Sequence, residues 1–549
     1  MPVAHARSVL AGSGRNGVTV QNWPSKCAMG VGDGNAHICG QIGQFTRVFT
    51  PIPCQIRFES YKSVYTVGVT VLRDWSSREA AVQLIRRYWL LAALFTAFSG
   101  LLAWQLFLPG FIGIADTGDF GRVAGWLCLA PSHTRTPFTF FQPDYIWSAR
   151  NFWNSPYQSS ETALGWLAIQ LAGATKEGAH FDIRWLAVLH VTLCLTGFAA
   201  LLAALRNQPK RIQAAVAVVP LLLLTDVCYT ALLNSFYMDA IAFCSLLLMT
   251  GIAVWVSAED EFRTGQLGLF FLAALLFVTS KTQHAIWSVF PAVFLTASCF
   301  RFRKPGLRAS ALVMAALVLA SGVYVERTAD RAYKGQALFN LLFYRIGSQG
   351  PAAMPDLLKL GVLPGEVRYL GTHSYAPGSP MASPQFGEAF YERTGFAKLL
   401  GWYLRHPIKT FHLVSARLLW EAEIMRPNNL GNYQVDFGHG PHARTHRFGL
   451  WSDMRSALFH RAPWYLPVWY TLFFTGCLAA IRRRRSLVFT RTVWLAMGIG
   501  LLGAGEFLAA SLGDCLDMAR HLFLFHTCTD LTMCFALAWG VKQGNLRGV

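Results

Sequence analysis

The chain has 549 residues, 53% of them hydrophobic and 14% charged, with a mean hydropathy of +0.35. So little charge cannot cover a water-facing surface of this size; lipid must be part of the solvent, and the chain reads as a polytopic membrane protein. The net charge of +19 sits largely in short loops between apolar runs, where Lys and Arg orient helices, which argues against nucleic acid as a partner.

In chain order, residues 1–84 are rich in Gly, Ser, Asn and Gln, carry one β-like patch (YKSVYTVGVTVL, 61–72), and read as a disordered cytoplasmic extension. The alternative is a membrane domain that starts near Arg73. The membrane domain is placed at 85–325, with a first outer loop at 115–183. An extracytoplasmic insert follows at 326–461, then C-terminal membrane helices and a short cytoplasmic tail at 462–549. Apolar runs fall at about 88–114, 184–205, 212–229, 239–257, 266–280, 284–300, 309–325, 462–481, 492–512 and 519–540. They predict an all-α polytopic fold of about ten transmembrane helices, with an amphipathic stretch at 161–174 in the first loop and mixed structure in the insert. Arg86 and Arg87, RNQPKR (206–211), RFRKPGLR (301–308), IRRRRS (481–486) and the tail then share one side, the cytoplasm by the positive-inside rule. Twelve cysteines show no CxxC pair and read as small core residues.

Polar residues collect on the opposite, outer face. GIADTGDFGRVAG (113–125) puts Asp116, Asp119 and Arg122 past the first run; YTALLNSFYMDA (229–240), TSKTQH (279–284) and GDCLDMARH (513–521) join later helices on that face. Each has a structural reading. Asp119 could cap a helix starting at Phe120, Arg122 could pair with either acid, and Lys281 could snorkel to headgroups. Arg520 and His521 could pair with Asp514 or Asp517, Asp239 could cap the fourth helix, and Asn234 and Tyr237 could be turn residues. Four junctions that all tuck charge against hydrocarbon are better explained by one polar cavity. Carboxylates there suit proton removal from a hydroxyl, cations suit a phosphate, and the aromatic insert suits sugar faces. There is no Gly-x-x-x-x-Gly-Lys-Ser/Thr loop and no His-Glu-x-x-His motif, so the combination points to sugar transfer from a lipid phosphate.

ADTGDFGRV (115–123), YTALLNSFYMDA (229–240), KTQH (281–284) and DMARHLFLFH (517–526), in this order and on one face, resemble the motif set of bacterial glycan-biosynthesis hexose transferases. These are multi-spanning glycosyltransferases of the C superfamily, related to the protein O-mannosyltransferases. The resemblance covers about residues 85–540, and ALFNLLFYRIGSQGP in the insert also fits it. It implies a catalytic aspartate in the first outer loop, mapping to Asp119 with Asp116 as the alternative, and a polyprenyl-phosphate-hexose donor. By the same mapping Lys281, Arg520, His521 and Arg122 meet the lipid phosphate, and Asn234, Tyr237, Asp239 and Gln283 line the pocket. The chain departs from the pattern at Met238 and Asp239, where glycine and glutamate are expected, and at Thr117, where an asparagine-like residue is expected.

The expected protein is a multi-pass protein of the bacterial inner membrane with its site on the extracytoplasmic face. It transfers a hexose, with inversion, from an outer-leaflet polyprenyl-phosphate sugar to a glycan or glycolipid acceptor. The alternatives are a transporter or flippase of lipid-linked saccharide, which Glu506 inside the ninth run favours, and a non-catalytic glycan-assembly subunit. No cofactor is expected; a divalent metal at Asp116 and Asp119 is the alternative, since two carboxylates alone make a poor site. His439, His442 and His446 have zinc-like spacing but read as a solvated basic loop.

Overall fold

The computed structural model describes residues 78–547 apart from 133–137, 155–156, 260–261, 303, 423, 428 and 484–485. The expected N-terminal extension, up to residue 77, lies outside the described residues. Helix α1 (Arg78–Leu106) leads into a loop that holds strands β1 (Gly113–Ile114), β2 (Leu129–Pro131) and β3 (Asp144–Trp147), helix α2 (Ser160–Ala172) and β4 (His180–Asp182). Then come α3 (Arg184–Leu205), α4 (Lys210–Leu224), α5 (Met238–Ala258), α6 (Thr264–Val278), α7 (Val289–Cys299) and α8 (Pro305–Thr328). The insert holds α9 (Arg331–Phe339), α10 (Met354–Lys359), α11 (Pro384–Thr394), α12 (Phe396–Arg405), α13 (Pro407–Trp420), β5 (Leu430–Asn432) and α14 (Leu450–Arg461). Helices α15 (Tyr465–Arg482), α16 (Leu487–Gly513) and α17 (Phe523–Arg547) close the chain.

All ten apolar runs contain helix, and the protein is an all-α polytopic membrane protein. By length and composition six helices among the described residues can cross a membrane, or up to eight if two bent pairs each count as one span, against the ten expected. The shortfall is physical. At about 1.5 Å per residue, α6 with 15 residues is short for a bilayer, α7 continues a helical turn at Thr282–Ala285 through a tighter 3-10 turn at Ile286–Ser288, and α4 breaks at Thr225 with a 57° bend. The first run also ends early: Gly113–Ile114 is strand, not helix.

Helix α5 is the pillar of the membrane domain, with 89% of its apolar window buried, against 28% for peripheral α8. Small residues let α3 approach it. A Cβ on Gly251 would sit 2.1 Å from the Gly197 carbonyl oxygen, so only glycine fits at this crossing. The described cysteines are all free, and all but Cys534 are buried, in keeping with their reading as small core residues.

Two small sheets shape the loops. β2, β3 and β4 form an antiparallel three-stranded sheet, while β1 pairs antiparallel with β5, Gly113 opposite Asn432 and Ile114 opposite Leu430. The second pairing ties the first loop to the far end of the insert. In α2 the Ser159 hydroxyl caps Glu161 N–H and Gly173 ends the helix at φ +67°; Trp166 and Leu171 stay exposed while Ser160 and Glu161 are buried with Ala168 and Ile169, so the helix lacks the sharply divided apolar and polar faces expected there.

Gly251→Val forces overpacking against the α3 backbone, and a loss of about 1–3 kcal/mol or more is expected. Thermal unfolding in detergent should show a lowered midpoint, with Gly265→Val, where a new side chain meets open space, as the unaffected control.

Candidate active site

The acidic loop is stitched in place by backbone. Ala115 N–H donates to the Asn429 carbonyl (2.9 Å) and to Asn432 Oδ1 (3.1 Å), and Asn429 Nδ2 returns a bond to the Ala115 carbonyl (2.9 Å). Beyond that stitch, Asp116 Oδ1 accepts from Gly118 N–H (2.7 Å) and Phe120 N–H (3.1 Å). Asp116, not Asp119, therefore caps the turn that starts at Phe120. Gly118 at φ +99° lets the chain reverse between the two acids, so they serve different partners.

Asp119 faces cations. It forms an ion pair with Arg520 Nη2, and Arg122 Nη2 lies 3.0 Å from its Oδ1. Arg520 is shared with Asp517, 2.8 Å from Nε, and its guanidinium lies 4.7 Å from the centre of the Tyr237 ring. Arg122 stacks over Tyr333 (4.8 Å) and Tyr157 (5.5 Å). Tyr237 receives Thr117 N–H at its hydroxyl (3.0 Å). Lys281 pairs with Asp239 at 3.3 Å, both side chains 5% exposed. His521 bridges Gln283 Oε1 (3.4 Å) and Asp514 Oδ2 (3.4 Å), and Gln283 donates to Glu506 at 2.5 Å. The four junctions thus meet in one polar cluster, as the sequence pattern required.

Some expected positions change. Asn234 does not line a pocket: it is fully buried and donates to the Leu106 (3.2 Å) and Ile112 (2.9 Å) carbonyls, bracing the exit of α1. Local pattern could not separate a pocket amide from such a brace. Conversely, a cleft of about 910 Å³ opens beside the cluster, walled by Asp116, Thr117, Tyr344, Arg345, His442 and Asp517. This volume is in the range of small-molecule sites. Tyr344 and Arg345 come from ALFNLLFYRIGSQGP, so one signal was present; His442 had none beyond its place in a basic loop.

The electrostatics separate the two first-loop acids. Burial pushes Asp116 up, more than the Phe120 and Gly118 amides pull it down, so its pKa lies above the ordinary 3.8. Burial also opposes ionisation of Asp119, but the Arg520 and Arg122 charges outweigh it and hold that carboxyl below 3.8. Asp514 and Asp517 are both raised by burial. Among the described residues no three His, Cys, Asp or Glu side chains are grouped to hold a metal ion. His439 stacks on Tyr433 while His442 borders the cleft, so the basic loop does not converge on one point.

Arg520→Ala leaves Asp119, whose side chain is 13% exposed, without its ion-pair partner, and loss of one member of a buried pair costs about 3–5 kcal/mol, with little added from the more exposed Asp517. Thermal denaturation in detergent should show that loss. It should grow as pH rises and more carboxylate ionises, and adding Asp119→Asn should recover part of it.

A family model described as the YfdI N-terminal transmembrane domain matches residues 79–548. Among solved structures, the chain is similar to the Archaeoglobus fulgidus oligosaccharyltransferase tethered with an acceptor peptide containing the NVT sequon (14% identity, TM-score 0.37). It is also similar to the oligosaccharyltransferase AglB of that organism in complex with an inhibitory peptide and a dolichol-phosphate (13% identity, TM-score 0.36). Each likeness covers 84% of this chain and 51% of the other, so the chain spans about half the length of those proteins. No curated protein matches the chain. With the family model extending over most of its length, the chain belongs to the family of the YfdI N-terminal transmembrane domain.

Proposed function

We propose that this protein is an inverting glycosyltransferase that moves a hexose from a polyprenyl-phosphate sugar to a glycan or glycolipid acceptor. The observation that carries the reading is Asp116: a carboxylate on the wall of a substrate-sized cleft, next to an arginine-centred cluster. A general base works best when its pKa lies near the working pH. Burial moves Asp116 in that direction, and its Oδ2 has no partner among the described residues. Asp119, the base implied by resemblance, is held at low pKa with both oxygens engaged by guanidinium groups. In this reading Asp116 is the base and Asp119 orients Arg520 and Arg122.

The acceptor hydroxyl oxygen attacks the anomeric carbon while its proton passes to Asp116 Oδ2. The bond from that carbon to the phosphate oxygen breaks, and polyprenyl phosphate leaves. Arg520 uses Nη2 on Asp119 and lies beside Asp517, while its buried Nε makes no hydrogen bond among the described residues, which leaves donor capacity on the guanidinium for the phosphate. Lys281, Arg122 and His521 supply the surrounding positive or donor character, and the acceptor enters along Tyr344, Arg345 and His442. The site opens on the extracytoplasmic face of the bacterial inner membrane, and no metal takes part.

Purified protein with radiolabelled polyprenyl-phosphate sugar separates transfer to an acceptor from movement without transfer and from simple binding. Asp116→Asn is expected to lower kcat about 10²–10⁴-fold with little change in donor KM. Asp119→Asn should raise donor KM. The reverse pattern returns the base to Asp119. The acid limb of the kcat profile offers a second check: rate falls as pH falls through the pKa of the base, so the limb should lie above 3.8 for Asp116 and below it for Asp119.

A further inference from the structure

Helix α14 is inside out for a water-soluble insert. Its inward face carries Ser452 and Arg455 beside Phe459 and Trp451, with Arg455 Nη1 2.5 Å from Asp530 and Ser452 Oγ 2.8 Å from Asp226. Its outward face carries Leu450, Met454 and Leu458, at four-residue spacing, 76%, 54% and 48% exposed. A helix with its guanidinium buried and its leucines turned out is built for an apolar surround. It also lies across the direction of α15, from which it is bent by 104°. A helix pair in the same insert also turns apolar side chains outward, although its inward face is apolar too. α12 buries Leu399, Trp402 and Tyr403 and exposes Leu400 and Leu404; α13 exposes Ile408 and Phe411.

The height of this pair relative to the bilayer follows from what it touches. Tyr403 Oη donates to the Leu512 carbonyl (3.0 Å) at the end of α16, one of the helices able to span. Val414 of α13 packs in the same cluster as Phe507 and Ala510 of α16. Those positions lie three and six residues inside the Gly513 end of that helix, roughly 5–9 Å at 1.5 Å per residue. α13 therefore sits beside a helix long enough to cross a membrane, near its Gly513 end, and its exposed apolar face adjoins that helix. Lys398, Arg405 and Arg461 are exposed in the same helices, as basic residues are in helices that lie along a lipid surface.

We infer that α12, α13 and α14 are sunk side-on into the leaflet on the cleft side, with acyl chains covering Leu404, Ile408, Phe411, Leu450, Met454 and Leu458. The insert is then a lipid-seated cap rather than a domain standing in water. This inference rests on the apolar faces, their place beside α16 and the exposed basic residues, and holds whatever the site catalyses.

The test uses the full chain in liposomes with a bimane probe on Leu404→Cys, Phe411→Cys or Met454→Cys, each an exposed position, so folding is little affected. Glu392→Cys, on an exposed polar face of the insert, is the control. Phosphatidylcholine carrying a nitroxide on its acyl chain should quench the first three probes and spare the fourth, and aqueous iodide should do the opposite. Iodide quenching of the first three overturns the inference in favour of a water-facing stripe. Protection from both quenchers overturns it in favour of a covering protein surface.

Discussion

The arrangement of the site depends on one shared cation. Arg520 is almost buried, and a guanidinium in that position is tolerable only if carboxylates surround it. It takes Asp119 from the first loop and Asp517 from its own junction, so the two ends of the membrane domain are clasped around one charge. The ring of Tyr237 closes a further side of the guanidinium and brings in the loop before α5. The pairing leaves Asp116 free of guanidinium contact, and the different fates of two acids three residues apart follow from it.

Backbone stitching makes that division reproducible. β1 and β5 are too short to stabilise anything alone, yet with the Asn429 and Asn432 amides they lock residues 113–115 against the return of the insert. Asn432 is fully buried, so its bond to Ala115 has no water to compete with it. The Asp116 side chain then caps the next turn, and the wall of the cleft is built jointly by the first loop, the insert and the α16–α17 junction.

Other buried charges do comparable structural work away from the cleft. Glu506, fully buried inside α16, accepts from Gln283 and Trp287 and so anchors the segment that carries Lys281. Asp530 gathers Arg455, Tyr229 (2.5 Å) and Trp451 (2.7 Å), fastening α14 to α17. These ties hold the polar side of α14 inward, and that is why its apolar side is left facing out.

Much of the architecture was legible from the residues because hydrocarbon imposes a strong, local rule: a spanning helix must be long and apolar, and charges cluster at its ends. Hydropathy located all ten helical segments, and the misplaced charges at 116–122, 239, 281 and 514–521 marked the four junctions that meet. Hydropathy did not show that α6 is short, that α7 changes pitch at Ile286–Ser288 or that α4 breaks, since a run of apolar residues records burial and not helix continuity. The role of Asn234 and the wall formed by Tyr344, Arg345 and His442 were also beyond it, because those depend on contacts between segments far apart in the chain. The sequence by itself determined a membrane protein with one polar cluster and named most of its charged members. Only the tertiary structure decided which acid meets the guanidiniums and which meets the cleft, because three residues of spacing are the same in either case and the φ of Gly118 with the β1–β5 pairing selects between them.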